Sequence, residues 1–217
     1  MSTLVHASAA PRAGVAWAVR PAAFVRITHW IHAAAFAGLV VSGGAILIAH
    51  PWLYWGETGA VEAPSLVDLP IPFLLGHSGW GRYLHFQSAW ICVLTGLVYV
   101  AAGIATRHFE RELAPRRAAA VPVIDDEREY NPIQRIAYLG VVFVLLPLAI
   151  ATGLAMSPAI ASVYPMLVTT FGGQQSARTL HFGVAVALVL FTIVHITMVA
   201  RAGFVRRTRA MITGRLD

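Results

Sequence analysis

Four long apolar runs, separated by polar stretches, organise this chain. They cover about residues 27–49, 84–106, 135–157 and 179–200. Each is long enough to cross a bilayer as a helix, which takes about 20 residues. A helix satisfies its own backbone hydrogen bonds in lipid. The pattern therefore predicts an all-α membrane protein, a four-transmembrane-helix bundle. Residues 1–217 read as one membrane domain with no separate soluble unit.

Composition agrees with that pattern. The 217 residues are 58% hydrophobic and 12% charged, against about 25% charged in soluble domains. The first 26 residues hold Arg12, Arg20, Arg26 and two prolines, with no compact apolar run before a small-residue cleavage site. No removable signal peptide is expected; the first span is itself the insertion signal.

The distribution of charge sets an orientation. All sixteen basic residues are Arg, and fourteen lie in the N-terminal tail, the 107–135 connection or the C-terminal tail. Arg82 and Arg178 alone flank the opposite side. The positive-inside rule then places both termini and the middle connection in the cytoplasm. The 50–81 loop, with Glu57, Glu62 and Asp68, faces outward. The net charge of +6 is thus a topology signal divided among membrane-flanking segments, and no nucleic-acid partner is expected.

The loops carry their own signals. Trp52, Tyr54, Trp55 and Trp80 suit a membrane–water interface. Pro64, Pro70 and Pro72 break helical continuity, so residues 66–75 are expected on the surface. Residues 107–130 read as a flexible connector. At the start of span three, Asn131 suits an N-cap, Pro132 the first helical position, and Gln134 can reach back to close the cap. Span three contains Pro147 and no histidine. A second outer loop, 158–177, contains Gly172-Gly173, and a basic tail with Arg201, Arg206, Arg207 and Arg209 ends the chain.

The chain has one cysteine, Cys92, and no C-x-x-C-H motif. That excludes an internal disulfide, a cysteine-held iron–sulfur cluster, a four-thiolate zinc site and covalent haem. A haem here would be held by axial side chains alone.

Histidines supply candidates for that task. Of nine, His6, His50, His77 and His108 fall in tails, loops or span ends and read as surface residues. The other five lie in spans: His29, His32, His85, His181 and His195. His181 and His195 are fourteen residues apart, close to four helical turns, so they share a face about 21 Å apart along the axis. With the orientation above, His85 and His181 lie near the outer surface. His195 lies near the inner surface with His29 or His32. Two ligand pairs at two depths follow, a pattern suited to two stacked haems.

Arginines and glycines extend the pattern. Arg26, Arg82 and Arg178 each precede a histidine (His29, His85, His181) by three residues, one turn nearer the surface. Such positions suit haem propionates, although arginines at span ends also snorkel without a ligand. Gly43 shares the face of His29 at outer depth. Gly96, eleven residues from His85, lies near inner depth. Both give room for a flat macrocycle, and both equally suit helix–helix packing. A proton relay would call for carboxylates in the spans, which hold none. Zinc would call for three or four clustered ligands.

The elements Arg26-Ile-Thr-His-Trp, Arg82-Tyr-Leu-His-Phe, Tyr130-Asn-x-x-Gln-Arg and Leu180-His181 with His195-x-x-Met198 resemble the di-haem cytochrome b subunit of membrane-bound formate dehydrogenase. The same group includes the cytochrome b subunits of thiosulfate reductases and nickel–iron hydrogenases. The resemblance runs from about residue 20 to 215. It implies a four-helix bundle in a bacterial inner membrane, with two b haems and a quinone (menaquinone or ubiquinone) beside the inner one. It implies His29 and His195 at the inner haem iron, and His85 and His181 at the outer. The Trp after the ligand selects His29, with His32 as competitor. Asn131, Gln134 and His195 are the implied quinone residues. A periplasmic iron–sulfur or molybdenum oxidoreductase is the implied partner. The long, Trp-rich outer loop departs from the formate dehydrogenase pattern and leaves that partner's identity open.

The expected function is electron transfer between that partner and the quinone pool. The alternative is a stand-alone quinol-oxidising cytochrome b that reduces a small periplasmic oxidant such as superoxide or a ferric chelate.

Overall fold

The apolar runs become helices longer than the bilayer core is thick. In the computed structural model, which describes residues 22–59, 63–71, 73, 78–109 and 132–214, α1 spans Ala23–Ala49. A ribbon follows, β1 (Trp52–Leu53) and β2 (Val67–Asp68). Next comes α2, Ser78–Ala105. The third span is composite: α3 (Pro132–Gly140), a π-helical turn (Val141–Leu145) and α4 (Leu146–Ala155). Two short helices, α5 (Pro158–Val163) and α6 (Pro165–Thr170), lead into α7 (Gln174–Arg201), and α8 covers Phe204–Thr213. The 27 residues of α1 and the 28 of α2 and α7 reach about 40 Å, beyond a hydrocarbon core of about 30 Å. Among the described residues, four helices are long and apolar enough to cross a membrane.

Each span starts earlier than its apolar run. The additional turns hold Arg26, Arg82 and Arg178, which are compatible with helix but invisible to hydropathy.

Tight packing is pairwise. α1 packs on α2, and α4 on α7. The buried residues of α1 are Thr28, Ala35, Ser42, Ala45 and Ala49. Four of these five recur every seven residues, so a stripe of small side chains faces α2. Large side chains point the other way: Leu94, Leu97, Val98 and Ile104 of α2, and Leu190, Ile193 and Val194 of α7, are exposed. Small residues at the contact and bulky ones toward lipid are the expected arrangement in a bilayer, where apolar burial supplies no drive for helices to associate.

The π turn has a local cause. Pro147 has no N–H, and its ring crowds the carbonyl one turn earlier. Widening the helix over Val141–Leu145 accommodates this without ending the span.

The two ends of the bundle are finished differently. At the ribbon end, Trp52 pairs with Asp68 and Leu53 with Val67 in antiparallel register. The ribbon is tied to the start of α7. Gln175 and Ser176 donate their backbone N–H to the Gly56 carbonyl, and Gly56 N–H donates to Ser176 Oγ at 2.7 Å. Thr179 donates to the Tyr54 carbonyl at 2.6 Å. Leu53 is 2% exposed beneath these contacts. Residues 66–75 were expected on the surface and 158–177 as an outer loop; the ribbon's second strand and the two short helices lie within these stretches. Side-chain-to-backbone bonding of this kind leaves no periodic trace in a sequence.

Gly173 is the joint of this assembly. Its φ is +115°, and a Cβ there would run into the Gly56 backbone. Gly173→Ala is expected to lower stability by about 1–3 kcal/mol, since left-handed strain and the clash add. A lowered unfolding temperature of the detergent-solubilised protein checks this.

At the other end, the tail end, α8 begins after Gly203 and stops at Gly214, both left-handed. Its last turn folds back on α1. Trp30 Nε1 donates to the Met211 carbonyl and Arg26 to the Ile212 carbonyl, both at 3.0 Å. The basic tail is thus in part a docked helix.

Candidate haem-binding site

Four imidazoles project into the space between the two helix pairs. At the ribbon end, His85 of α2 and His181 of α7 face each other with ring centres 6.1 Å apart. At the tail end, His29 of α1 and His195 of α7 do the same at 6.3 Å. On α7 these rings are fourteen residues apart, about 21 Å along the axis.

That spacing fits a metal between each pair. Two imidazoles on one metal place their ring centres about 6 Å apart, given metal–nitrogen bonds of about 2.0–2.1 Å. Among the described residues no three His, Cys, Asp or Glu side chains cluster as a metal-ion site. Donors arriving in twos suit an iron whose other ligands come from a macrocycle, as in haem. Helix pairs separated by imidazoles rather than by direct packing leave room for such a plane.

The imidazoles at the ribbon end have defined tautomers. Ser42 Oγ donates its one proton within α1, 2.6 Å from the Gly38 carbonyl. It also lies 3.0 Å from His85 Nδ1 and can only accept there. Thr152 repeats this on α4. Its hydroxyl donates to the Leu148 carbonyl at 2.7 Å and lies 2.9 Å from His181 Nδ1. Both Nδ1 atoms therefore carry the proton, and both Nε2 lone pairs remain for a metal.

At the tail end, Tyr138 of α3 places its hydroxyl 3.1 Å from His195 Nδ1. Phe191 stacks on the same imidazole at 6.0 Å. His29 meets the edge of Trp30 at 5.4 Å. His32, the competitor, points elsewhere: its Nδ1 lies 3.0 Å from the Thr28 carbonyl, and its Nε2 faces Gly96.

Glycines flank the rings. A Cβ on Gly43 would lie 3.7 Å from His85 Cε1, and one on Gly153 would lie 3.5 Å from His181 Cε1. Gly43 was expected at this depth; Gly153 was not singled out. Gly96 opposes His32, at 3.7 Å from Nε2, rather than His29 or His195.

The three arginines sit at the ends of the pockets, each already engaged. Arg178 donates to the Trp52 carbonyl at 3.2 Å and to the His50 carbonyl. Arg82 lies 3.5 Å from His50 Nε2. Partial desolvation, then the positive charges of Arg178 and Arg82, hold His50 below its usual pKa, so its neutral ring can accept from Arg82. His50 was expected as a surface residue and is exposed; it also joins a cationic cluster. Among the described residues neither Arg82 nor Arg178 is paired with a carboxylate, so the cluster suits an anion such as a propionate. Arg26 donates to Ile212, and its Nε is buried without a partner among the described residues. It lines a cleft of about 340 Å³ with Ile27, Trp30, Ile31, Met211 and Ile212.

Asn131 and the side chain of Gln134 lie outside the described residues, so their cap and quinone readings carry no structural statement. Ser42, Thr152, Tyr138 and Gly153 are the functional candidates that the sequence did not reveal. The signal available for two of them was a repeated dipeptide, Ser42-Gly43 and Thr152-Gly153, a hydroxyl followed by glycine in spans one and three.

Comparison with known proteins identifies the family of the chain. The family model described as prokaryotic cytochrome b561 matches residues 20–214. A putative protein-methionine-sulfoxide reductase subunit, YedZ1, from Azospira oryzae is 30% identical over 210 residues, covering 91% of this chain and 97% of that protein. No solved structure matches the chain. The chain belongs to the prokaryotic cytochrome b561 family, bacterial multi-pass membrane proteins that bind haem b and carry electrons.

Proposed function

We propose that this chain holds two b haems and links a quinone at the cytoplasmic side to an oxidoreductase at the periplasmic side. The observation that carries this reading is the pair of imidazole couples, 6.1 and 6.3 Å between ring centres, at the two ends of one bundle. His85 and His181 would hold the periplasmic haem, His29 and His195 the cytoplasmic one. Arg82, Arg178 and Arg26 would receive propionates, and Gly43 and Gly153 leave the space a macrocycle needs. Bound there, haem supplies one-electron chemistry, with iron cycling between ferric and ferrous.

The orientation follows from charge. The tail end carries Arg201, Arg206, Arg207 and Arg209 and is assigned to the cytoplasm. The ribbon end then faces the periplasm, and its ribbon and short helices α5 and α6 offer the docking surface for the partner.

Quinone is assigned to the tail end, near His195, Asn131 and Gln134. A quinol oxidised there gives up two electrons and two protons. The electrons leave one at a time through the chain, and the protons go to the cytoplasmic side. The similarity to a putative reductase subunit favours this outward flow and a periplasmic reductase as the acceptor.

Copurification tests this reading. Affinity isolation of the tagged chain from its native membrane is expected to bring down a molybdenum- or iron–sulfur-containing oxidoreductase, and added quinol is expected to reduce that enzyme through the chain. A chain isolated alone, which passes electrons from quinol to ferric chelates or superoxide directly, would contradict the partner assignment.

A further inference from the structure

Two hydroxyls stand where helix hydroxyls rarely matter. A Ser or Thr in the middle of a helix usually bonds the carbonyl four residues back and has no further role. Ser42 and Thr152 make that bond, but both are 0% exposed and both lie against an imidazole of the opposing helix. They do so on different helices, α1 and α4, and toward different rings, His85 and His181. In each case the next residue is a glycine whose missing side chain leaves that ring's flank open. Each Nδ1 proton therefore points at one hydroxyl oxygen.

Among the described residues the arrangement has no counterpart at the tail end. There, His195 meets the Tyr138 phenol, and His29 meets the edge of an indole. A phenol can donate as well as accept, whereas Ser42 and Thr152 have committed their protons and can only accept. The two ends of one bundle thus offer their imidazoles different hydrogen-bonding environments.

Accepting a hydrogen bond from Nδ1–H pushes electron density onto the imidazole and makes Nε2 a stronger donor. A stronger donor favours the ferric over the ferrous state, because hydrogen bonding beyond the direct ligands is one lever on haem potential. We propose that Ser42 and Thr152 are positioning residues that fix the His85 and His181 tautomers and hold the ribbon-end haem at a lower potential than these imidazoles alone would give. The proposal rests on the two-haem reading above. It makes the ribbon-end haem the better reductant, suited to handing electrons to a periplasmic acceptor.

The test uses the purified full-length chain with Ser42→Ala, Thr152→Val and both together. Readouts are haem b per chain and the midpoint potential of each haem by spectroelectrochemical titration. Both haems are expected to stay bound. In the double variant, the ribbon-end redox equilibrium is expected to move toward the reduced form by about tenfold, a rise of about 59 mV for one electron. Each single variant should move it part of the way, and the tail-end potential should stay fixed. Ser42→Thr and Thr152→Ser keep the acceptor and should restore the wild-type potential. If the double variant loses haem, the single variants carry the same measurement.

Unmoved ribbon-end potential in loaded variants would overturn this proposal and leave the two-haem reading intact. So would equal shifts in the conservative variants. A wild-type chain lacking a ribbon-end haem would overturn both.

Discussion

His195→Ala is expected to lose the tail-end haem, so that the b-haem absorbance per chain falls to about half while the ribbon-end haem remains. Quinol-driven reduction of the remaining haem should drop to background, because His195 is where electrons would enter. His195 faces His29 across the gap, stacks on Phe191 and bonds Tyr138. On the proposed two-haem reading, alanine there would leave the tail-end haem with His29 alone. His29→Ala is expected to give the same spectrum, since its ring would supply the second ligand. His32→Ala is the control. Its ring bonds within α1 and faces Gly96, so both haems should persist. Loss of haem in His32→Ala with retention in His29→Ala would reverse the assignment. Absorbance difference spectra and haem quantification of the three purified variants check it.

The second large effect concerns a residue with no side chain. Gly153→Leu is expected to eliminate the ribbon-end haem and spare the other. A Cβ at Gly153 would touch His181 Cε1 at 3.5 Å, an ordinary contact, so Gly153→Ala should keep both haems. A leucine's further carbons would have to displace the imidazole or take the room a haem held by His181 would need. Leucine is a good helix former, so the helix itself is expected to survive the change. Gly44→Leu supplies the comparison: nothing lies within 4 Å of a Cβ there, and both haems should remain. Haem content of the three variants, normalised to protein, decides the matter.

The division between what the sequence discloses and what it hides has physical causes. Hydropathy disclosed four spans because lipid demands apolar side chains over a fixed length, whatever those side chains touch. Helical periodicity disclosed that His181 and His195 share a face, because fourteen residues bring the rings into register. Charge asymmetry then sorted the remaining histidines by depth. The choice between His29 and His32 lay beyond such reasoning. The two differ by less than one turn, and packing of α1 on α2 decides which ring looks across to α7.

Other features depend on contacts that leave no periodic mark. Ser42 and Thr152 look like ordinary helix hydroxyls until His85 and His181 arrive from other spans. Tyr138 looks like an interfacial aromatic until its hydroxyl meets His195. The ribbon was hidden among prolines and tryptophans because it is held by carbonyls, with Arg178 and Thr179 reaching across from α7. The tail registered as a run of arginines. Its docked helix rests on the placement of Met211 and Ile212 against Trp30 and Arg26.

Haem stoichiometry is the most direct test of the account. The full-length chain, purified from membranes with its haem retained, is to be quantified for protein and for extractable haem b and titrated potentiometrically. The account predicts two haem b per chain and a titration that resolves two one-electron steps. One haem per chain, or none, would contradict it.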